Sequence, residues 1–204
     1  MDLKNLEKIS EKIEQYNCVL LAVVKNQKIS DIKQLVDFGI SNLGENRVDE
    51  LSNHKKEFPN ENYHFIAPLQ SRKIPEIIDT CKVLHSVHRT KELDLISQSS
   101  SNVSYFVQVN IDNDPKKSGI SEKNIFDFVI YAKNVNHFPS GIMCIPNIES
   151  DRKKVFSKMQ KINKQIKNEF PQYGGGLSMG MSDDYEIALD YGATIVRIGS
   201  KIFS

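Results

Sequence analysis

With 204 residues, 39% of them hydrophobic and 26% charged, the chain is long enough for one sizeable core and has the composition of a soluble globular domain. A net charge of +1 gives no electrostatic case for nucleic acid or an anionic membrane as partner. No apolar run reaches the length of a membrane helix, the N-terminus lacks the apolar core of a signal peptide, and Cys18, Cys81 and Cys144 lie too far apart for a metal or disulfide framework, so a cytoplasmic protein with reduced thiols is expected.

Leu3, Leu6, Ile9, Ile13 and Tyr16 recur at three- and four-residue steps, which predicts an amphipathic helix over residues 2–17. Cys18-Val-Leu-Leu-Ala-Val-Val-Lys25 follows, a short β-branched apolar run that reads as a strand buried on both faces and ending in an amine. Ser30-Asp31 opens a helix stopped by Gly39, Ile40 to Leu43 is a very short strand, and Gly44-Glu45-Asn46 is a turn before a polar helix over 47–56. Strands are expected at Tyr63–Ile66, Val83–Val87, Val103–Ile111, Gly141–Ile145, Leu177–Met179 and Thr194–Ile198. Helices alternate with them at about 72–79, 90–97, 121–134, 151–169 and 183–190, the last N-capped by Ser182, and Gly199-Ser200 opens a final turn that ends at Ser204.

Eight strands in strict alternation with helices predict a parallel sheet, and eight units in one chain predict a single (β/α)8 TIM barrel over residues 1–204. An open doubly wound sheet is the alternative, but Lys25-Asn26-Gln27 lacks the glycines of a dinucleotide fingerprint.

Strand alternation puts Val19, Leu21, Val23 and Lys25 on one face. A strand dry to its end would hold the Lys25 amine at the rim of a core, where poor solvation lowers its pKa and makes it a nucleophile for an aldehyde. The alternative is that Lys25 merely caps a strand. If the barrel closes, the last strand lies about 4.8 Å from the first, and Arg197 becomes a neighbour of Lys25 at one mouth. Arg197 sits in an apolar strand, so its guanidinium needs a ligand acceptor or a structural carboxylate partner. Gly199-Ser200 follows the last strand, where barrels often bind phosphate, and Ser178 at the end of the seventh strand could join them. Asp183-Asp184 would repel a phosphate and read as helix-start residues. Glu45-Asn46 also falls at the mouth and either offers polar groups to a ligand or turns the chain. His64 reads as a satisfied strand histidine, His85 and His88 receive no role, and Lys55-Lys56, Lys116-Lys117 and Arg152-Lys153-Lys154 read as solvated faces. One ligand meets three of these demands: pyridoxal 5'-phosphate has an aldehyde for Lys25, a phosphate for Gly199-Ser200 and a ring nitrogen for Arg197.

Eight segments in order, Leu21-Ala-Val-Val-Lys25, Gly44-Glu-Asn-Arg-Val48, His64-Phe-Ile66, Leu69-Gln70, Lys117-Ser-Gly119, Gly141-Ile-Met-Cys-Ile-Pro146, Leu177-Ser-Met-Gly-Met-Ser-Asp-Asp184 and Val196-Arg-Ile-Gly199, resemble the pyridoxal-phosphate homeostasis proteins (YggS/PROSC-like). That family looks like the N-terminal barrel of alanine racemase standing alone. The resemblance implies that Lys25 is the Schiff-base lysine, that Arg197 faces the pyridine nitrogen, that Ser178, Gly199 and Ser200 hold the phosphate, and that Asn46 and His64 lie near the cofactor. Val24, Asn26, Ala67-Pro68 and Ser200 depart from the family pattern, Ser200 keeping the hydroxyl of the usual threonine.

An arginine at the pyridine nitrogen opposes its protonation and weakens the ring as an electron sink. Racemisation also needs a second base, which in alanine racemase, the resemblance implies, is a tyrosine of a further domain of a partner subunit. The expected function is therefore a cytoplasmic, monomeric carrier in intracellular pyridoxal-phosphate homeostasis, in transient contact with enzymes that use the cofactor. A low-activity amino-acid racemase, or a barrel enzyme acting on a phosphorylated metabolite, is the alternative.

Overall fold

Eight strands pair side by side, all parallel and in chain order: β1 (Val19–Val23), β2 (Asn42–Glu45), β3 (Asn62–Phe65), β4 (Val83–Val87), β5 (Ser104–Gln108), β6 (Gly141–Met143), β7 (Gly176–Met181) and β8 (Ile195–Ile198). The ring closes through β8 and β1, in register from Val19 opposite Ile195 to Ala22 opposite Ile198. The coordinates are a computed structural model that describes residues 1–203; the end of the final turn, expected at Ser204, lies outside them.

Helices alternate with the strands as α1 (Leu3–Glu14), α2 (Ile29–Asp37), α3 (Val48–Glu57), α4 (Ile74–Thr80), α5 (Thr90–Ser97), α6 (Ile125–Asn134), α7 (Arg152–Glu169) and α8 (Tyr185–Asp190), and a short α9 (Ser200–Phe203) follows β8. This is the expected (β/α)8 barrel, and the open sheet is excluded. Among the described residues no helix is long and apolar enough to cross a membrane, and all three cysteines are free thiols.

Two cores follow from strand alternation. Leu21, Phe106, Met143 and Ile195 point into the barrel and pack together. Leu20, Ala22 and Val24, on the opposite face of the first strand segment, join the larger shell between sheet and helices.

Two strands differ from the sequence expectation in ways that matter at the mouth. Gly44-Glu45, expected as a turn, belong to β2. Gly44 faces the lumen, where a Cβ would meet Leu21 Cγ at 3.3 Å. Glu45 points outward and is fully buried, but His54 on α3 lies 2.7 Å from its carboxylate, so a polar residue can extend a buried strand. Burial raises the Glu45 pKa, and the His54 hydrogen bond opposes that rise.

β7 runs past its expected end at Met179 and breaks register, from Ser178 opposite Ile195 to Met181 opposite Arg197. The break sits at Gly180, with φ +93° and an imagined Cβ 2.6 Å from Ala188 Cβ. The helix after it starts two residues later than predicted. Its N-cap is Asp184, not Ser182; the Asp184 carboxylate makes no capping bond to the helix but accepts from Met181 N at 2.7 Å and pairs with Arg152 Nε at 2.7 Å. Arg152 is thus no member of a solvated face.

Candidate functional site

A cavity of about 510 Å³ opens where the strands end. Its walls come from six of the eight units: Val23 and Lys25 at and after the end of β1, Asn46 after β2, Ile66 to Pro68 after β3, Ile145 after β6, Met181 to Asp183 at and after the end of β7, and Arg197, Gly199 and Ser200 on β8 and beyond. Of the seven residues singled out from the sequence, Lys25, Asn46, Arg197, Gly199 and Ser200 meet here.

Lys25 lies two residues past the end of β1, in a turn that Asn26 continues with φ +59°, a conformation asparagine adopts more readily than most residues. Its side chain is exposed. The dry rim expected from the apolar run is not observed, because that run buries Ala22 and Val24 against the helices, while the Lys25 side of the strand opens into the cavity. Among the described residues the amine makes no hydrogen bond or ion pair.

Arg197 forms the floor. Its register partner on β1 is Leu21, so it sits deeper in the barrel than Lys25, and it is 5% exposed. No carboxylate pairs with it among the described residues, so the structural ion pair offered as an alternative is absent. Instead Nη1 donates to the carbonyl and the hydroxyl of Ser178 at 2.8 and 2.7 Å, and Nη2 donates to the Cys144 carbonyl at 2.9 Å. Three bonds to neutral oxygens leave at least two of its five N–H groups without a protein acceptor. Burial lowers the guanidinium pKa, but the group stays cationic.

Ser178 and His64 do not line the cavity. Ser178 is fully buried on β7 with its hydroxyl engaged by Arg197, and His85 Nδ1 lies 2.9 Å from the same oxygen. His85 Nε2 is in turn 2.9 Å from His64 Nδ1. Every distance is met if Arg197 donates to Ser178, Ser178 to His85 and His85 to His64, which assigns the Nε2–H tautomer to both rings. Burial holds His64 down to about 4 and His85 well below the usual imidazole value, with Arg197 adding to the latter. A chain of hydrogen bonds therefore crosses the lumen from β3 to β8, neutral at His64, His85 and Ser178 and ending on the Arg197 cation. Ser178 supports the guanidinium rather than offering a free hydroxyl to a phosphate.

Sequence reasoning missed His85, which stacks on Phe106 at 4.9 Å between ring centres. An inward-facing histidine on a parallel strand carries no local signal, because its partner is 93 residues away. Ser182 was also missed: it was read as a cap, yet it lines the cavity, and its hydroxyl accepts from Lys201 N at 3.5 Å. Asp183 lines the same wall. His88 lies 3.7 Å from the Glu92 carboxylate and takes no part in the cavity.

The cavity belongs to a recognisable class of barrel. The family model for the alanine racemase N-terminal domain matches residues 3–204. Alanine racemase of Corynebacterium glutamicum superposes with a TM-score of 0.74 at 11% identity, this chain covering 61% of that one. PipY of Synechococcus elongatus, solved with PLP bound, superposes with a TM-score of 0.90 at 22% identity, over 98% of this chain and 99% of its own. Within that class the chain belongs to the pyridoxal phosphate homeostasis protein family. A protein of that name from Haemophilus influenzae is 32% identical over 98% of this chain and 93% of its own length. Another, from Escherichia coli K12, is 32% identical over 90% of this chain and 84% of its own.

Proposed function

We propose that the chain holds pyridoxal 5'-phosphate in this cavity as a Schiff base on Lys25 and serves cytoplasmic homeostasis of that cofactor. The carrying observation is that an exposed, unpaired amine and a buried guanidinium lacking a carboxylate line one cavity. The walls fit the group. Arg197 has N–H groups to spare for a ring nitrogen, and the buried Asn46 Oδ1 has no partner, so a donor on the ligand would satisfy it. Gly199 lies against β1, where a Cβ would meet Val23 Cβ and O at 3.2 Å. It lets the chain turn into α9 with Ser200 and Ser182 at one end of the cavity, the end we assign to the phosphate. His64 acts at one remove, through His85 and Ser178.

When bound, the cofactor would supply an aldehyde within reach of the Lys25 amine, the group that would hold it covalently. Arg197 donates a hydrogen bond to the ring nitrogen and, being cationic, disfavours a proton there. This favours holding the cofactor over carbanion chemistry, so we read the protein as a carrier rather than a racemase. As a carrier it would meet enzymes that use the cofactor, and a closed barrel without a sheet edge favours a monomer.

Purified protein mixed with the cofactor is expected to turn yellow, and borohydride is expected to fix the label on the peptide bearing Lys25. In Lys25→Ala the fixed label is lost, while the melting temperature stays within a few degrees because the side chain is exposed. A label that persists in Lys25→Ala would sink the assignment.

A further inference from the structure

The pattern Arg-x-x-Glu opens two helices of the barrel, and the two glutamates are used differently. On α5, Glu92 holds the third helical position and turns back on its own N-terminus. Its Oε2 accepts from the amides of Arg89 and His88 at 3.0 and 2.9 Å, and its Oε1 accepts from Arg89 Nη2 at 2.6 Å. Such a capping box satisfies the free amides of the helix itself. On α3, Glu50 holds the same position after Arg47, yet among the described residues it makes no bond to the Arg47 amide. Its Oε1 lies 3.4 Å from Arg47 Nη1, while Oε2 leaves the helix and accepts from Asn26 N at 3.1 Å, in the turn after β1.

That amide belongs to the peptide that joins Lys25 to Asn26. Asn26 has φ +59°, a conformation whose cost the surroundings must cover. Gln27 N closes the turn by donating to Val24 O at 3.1 Å. Beyond that, the Lys25 carbonyl accepts one 3.4 Å bond from Gln27 Nε2, and the Lys25 amine makes none among the described residues. A lysine stem is flexible, so the direction of its backbone is the main constraint on where this amine goes. Glu50 thus ties the turn that carries Lys25 to the helix that begins just past Asn46, joining two walls of one cavity. We infer that Glu50 is a positioning residue for Lys25, its bond to the Asn26 amide setting the plane of the Lys25–Asn26 peptide and so the angle at which the lysine stem enters the cavity. The inference rests on the reading of Lys25 as the amine that holds the cofactor.

Two variants separate reach from charge. Glu50→Asp keeps a carboxylate in the first turn of α3, where the helix dipole favours it, but is one methylene too short for Asn26 N. Glu50→Gln keeps the reach and an acceptor oxygen without the charge. In cofactor-free, 15N-labelled protein the Asn26 amide is expected to exchange with solvent about tenfold faster in Glu50→Asp, and within about threefold of the parent in Glu50→Gln. With saturating pyridoxal phosphate, the rate of yellowing is expected to fall about tenfold in Glu50→Asp and to recover in Glu50→Gln. The half-saturating cofactor concentration and the melting temperature should stay close to the parent's; a glutamate that only stabilised the fold would shift the melting temperature and leave the rate in place. The inference is overturned if Asn26 exchanges alike in Glu50→Asp and the parent, or if the parent labels at Lys25 and Glu50→Asp yellows as fast. A parent that never labels at Lys25 sinks the cofactor reading and this inference with it.

Discussion

At the scale of single residues, Arg197 sets the character of the site. A guanidinium at the bottom of a barrel is costly to bury, and here neutral oxygens carry it. Ser178 matters most among them, because its hydroxyl joins the guanidinium to His85. Ser178→Ala removes that oxygen, leaves His85 Nδ1 without a partner and leaves Arg197 with carbonyls alone. It is expected to destabilise the fold by about 1–3 kcal/mol, the cost of an unsatisfied buried polar group, read from the denaturant midpoint. It is also expected to weaken cofactor binding. A direct phosphate contact by Ser178 would instead cost affinity and leave the stability of the cofactor-free protein unchanged.

At the scale of elements, the break in β7 decides where the mouth residues fall. Gly180 has a positive φ and no room for a Cβ, with Ala188 Cβ at 2.6 Å and Tyr185 Cα at 3.0 Å. Met181, Ser182 and Asp183 line the cavity because the strand shifts register at this point. Gly180→Ala is expected to cost about 1–3 kcal/mol from overpacking, with a further penalty for an L residue at that φ. Thermal unfolding reads the loss. The cavity should suffer with it, so cofactor affinity falls although Gly180 is not in the cavity wall.

At the scale of the whole molecule, the neutral histidines couple stability to pH. His64 is held at about 4 in the fold against an ordinary value of 6.5, so the unfolded chain binds more protons between those values. Stability from this group is fully present above about pH 6.5 and is lost as pH falls toward 4, by about 3 kcal/mol for a shift of that size. His85 acts in the same direction. Glu45 opposes both, since its raised pKa gives stability that fades as pH rises above the ordinary carboxylate range. The net expectation is a denaturation midpoint that falls between pH 7 and 4.5, with a shallower slope in His64→Gln, which keeps an acceptor for His85 but does not titrate. A slope unchanged in that variant would show that His64 is not the coupled group.

The sequence by itself pointed to the barrel, its strand order and the placing of Lys25 and Arg197 at one mouth. These rest on alternation and periodicity, which are local properties: eight apolar runs spaced by helices suit a closed parallel ring, and closure brings the first and last strands together. Only the tertiary structure decided what surrounds those groups. The partners of Arg197 are Ser178 and Cys144, 19 and 53 residues away, and His85 reaches Ser178 across the lumen, where no spacing rule applies. Whether Lys25 is dry, whether Ser178 is free and whether Ser182 is a cap or a cavity wall all depend on which atoms fill the space beside them. That is a matter of packing between distant segments, and no window along the chain contains it.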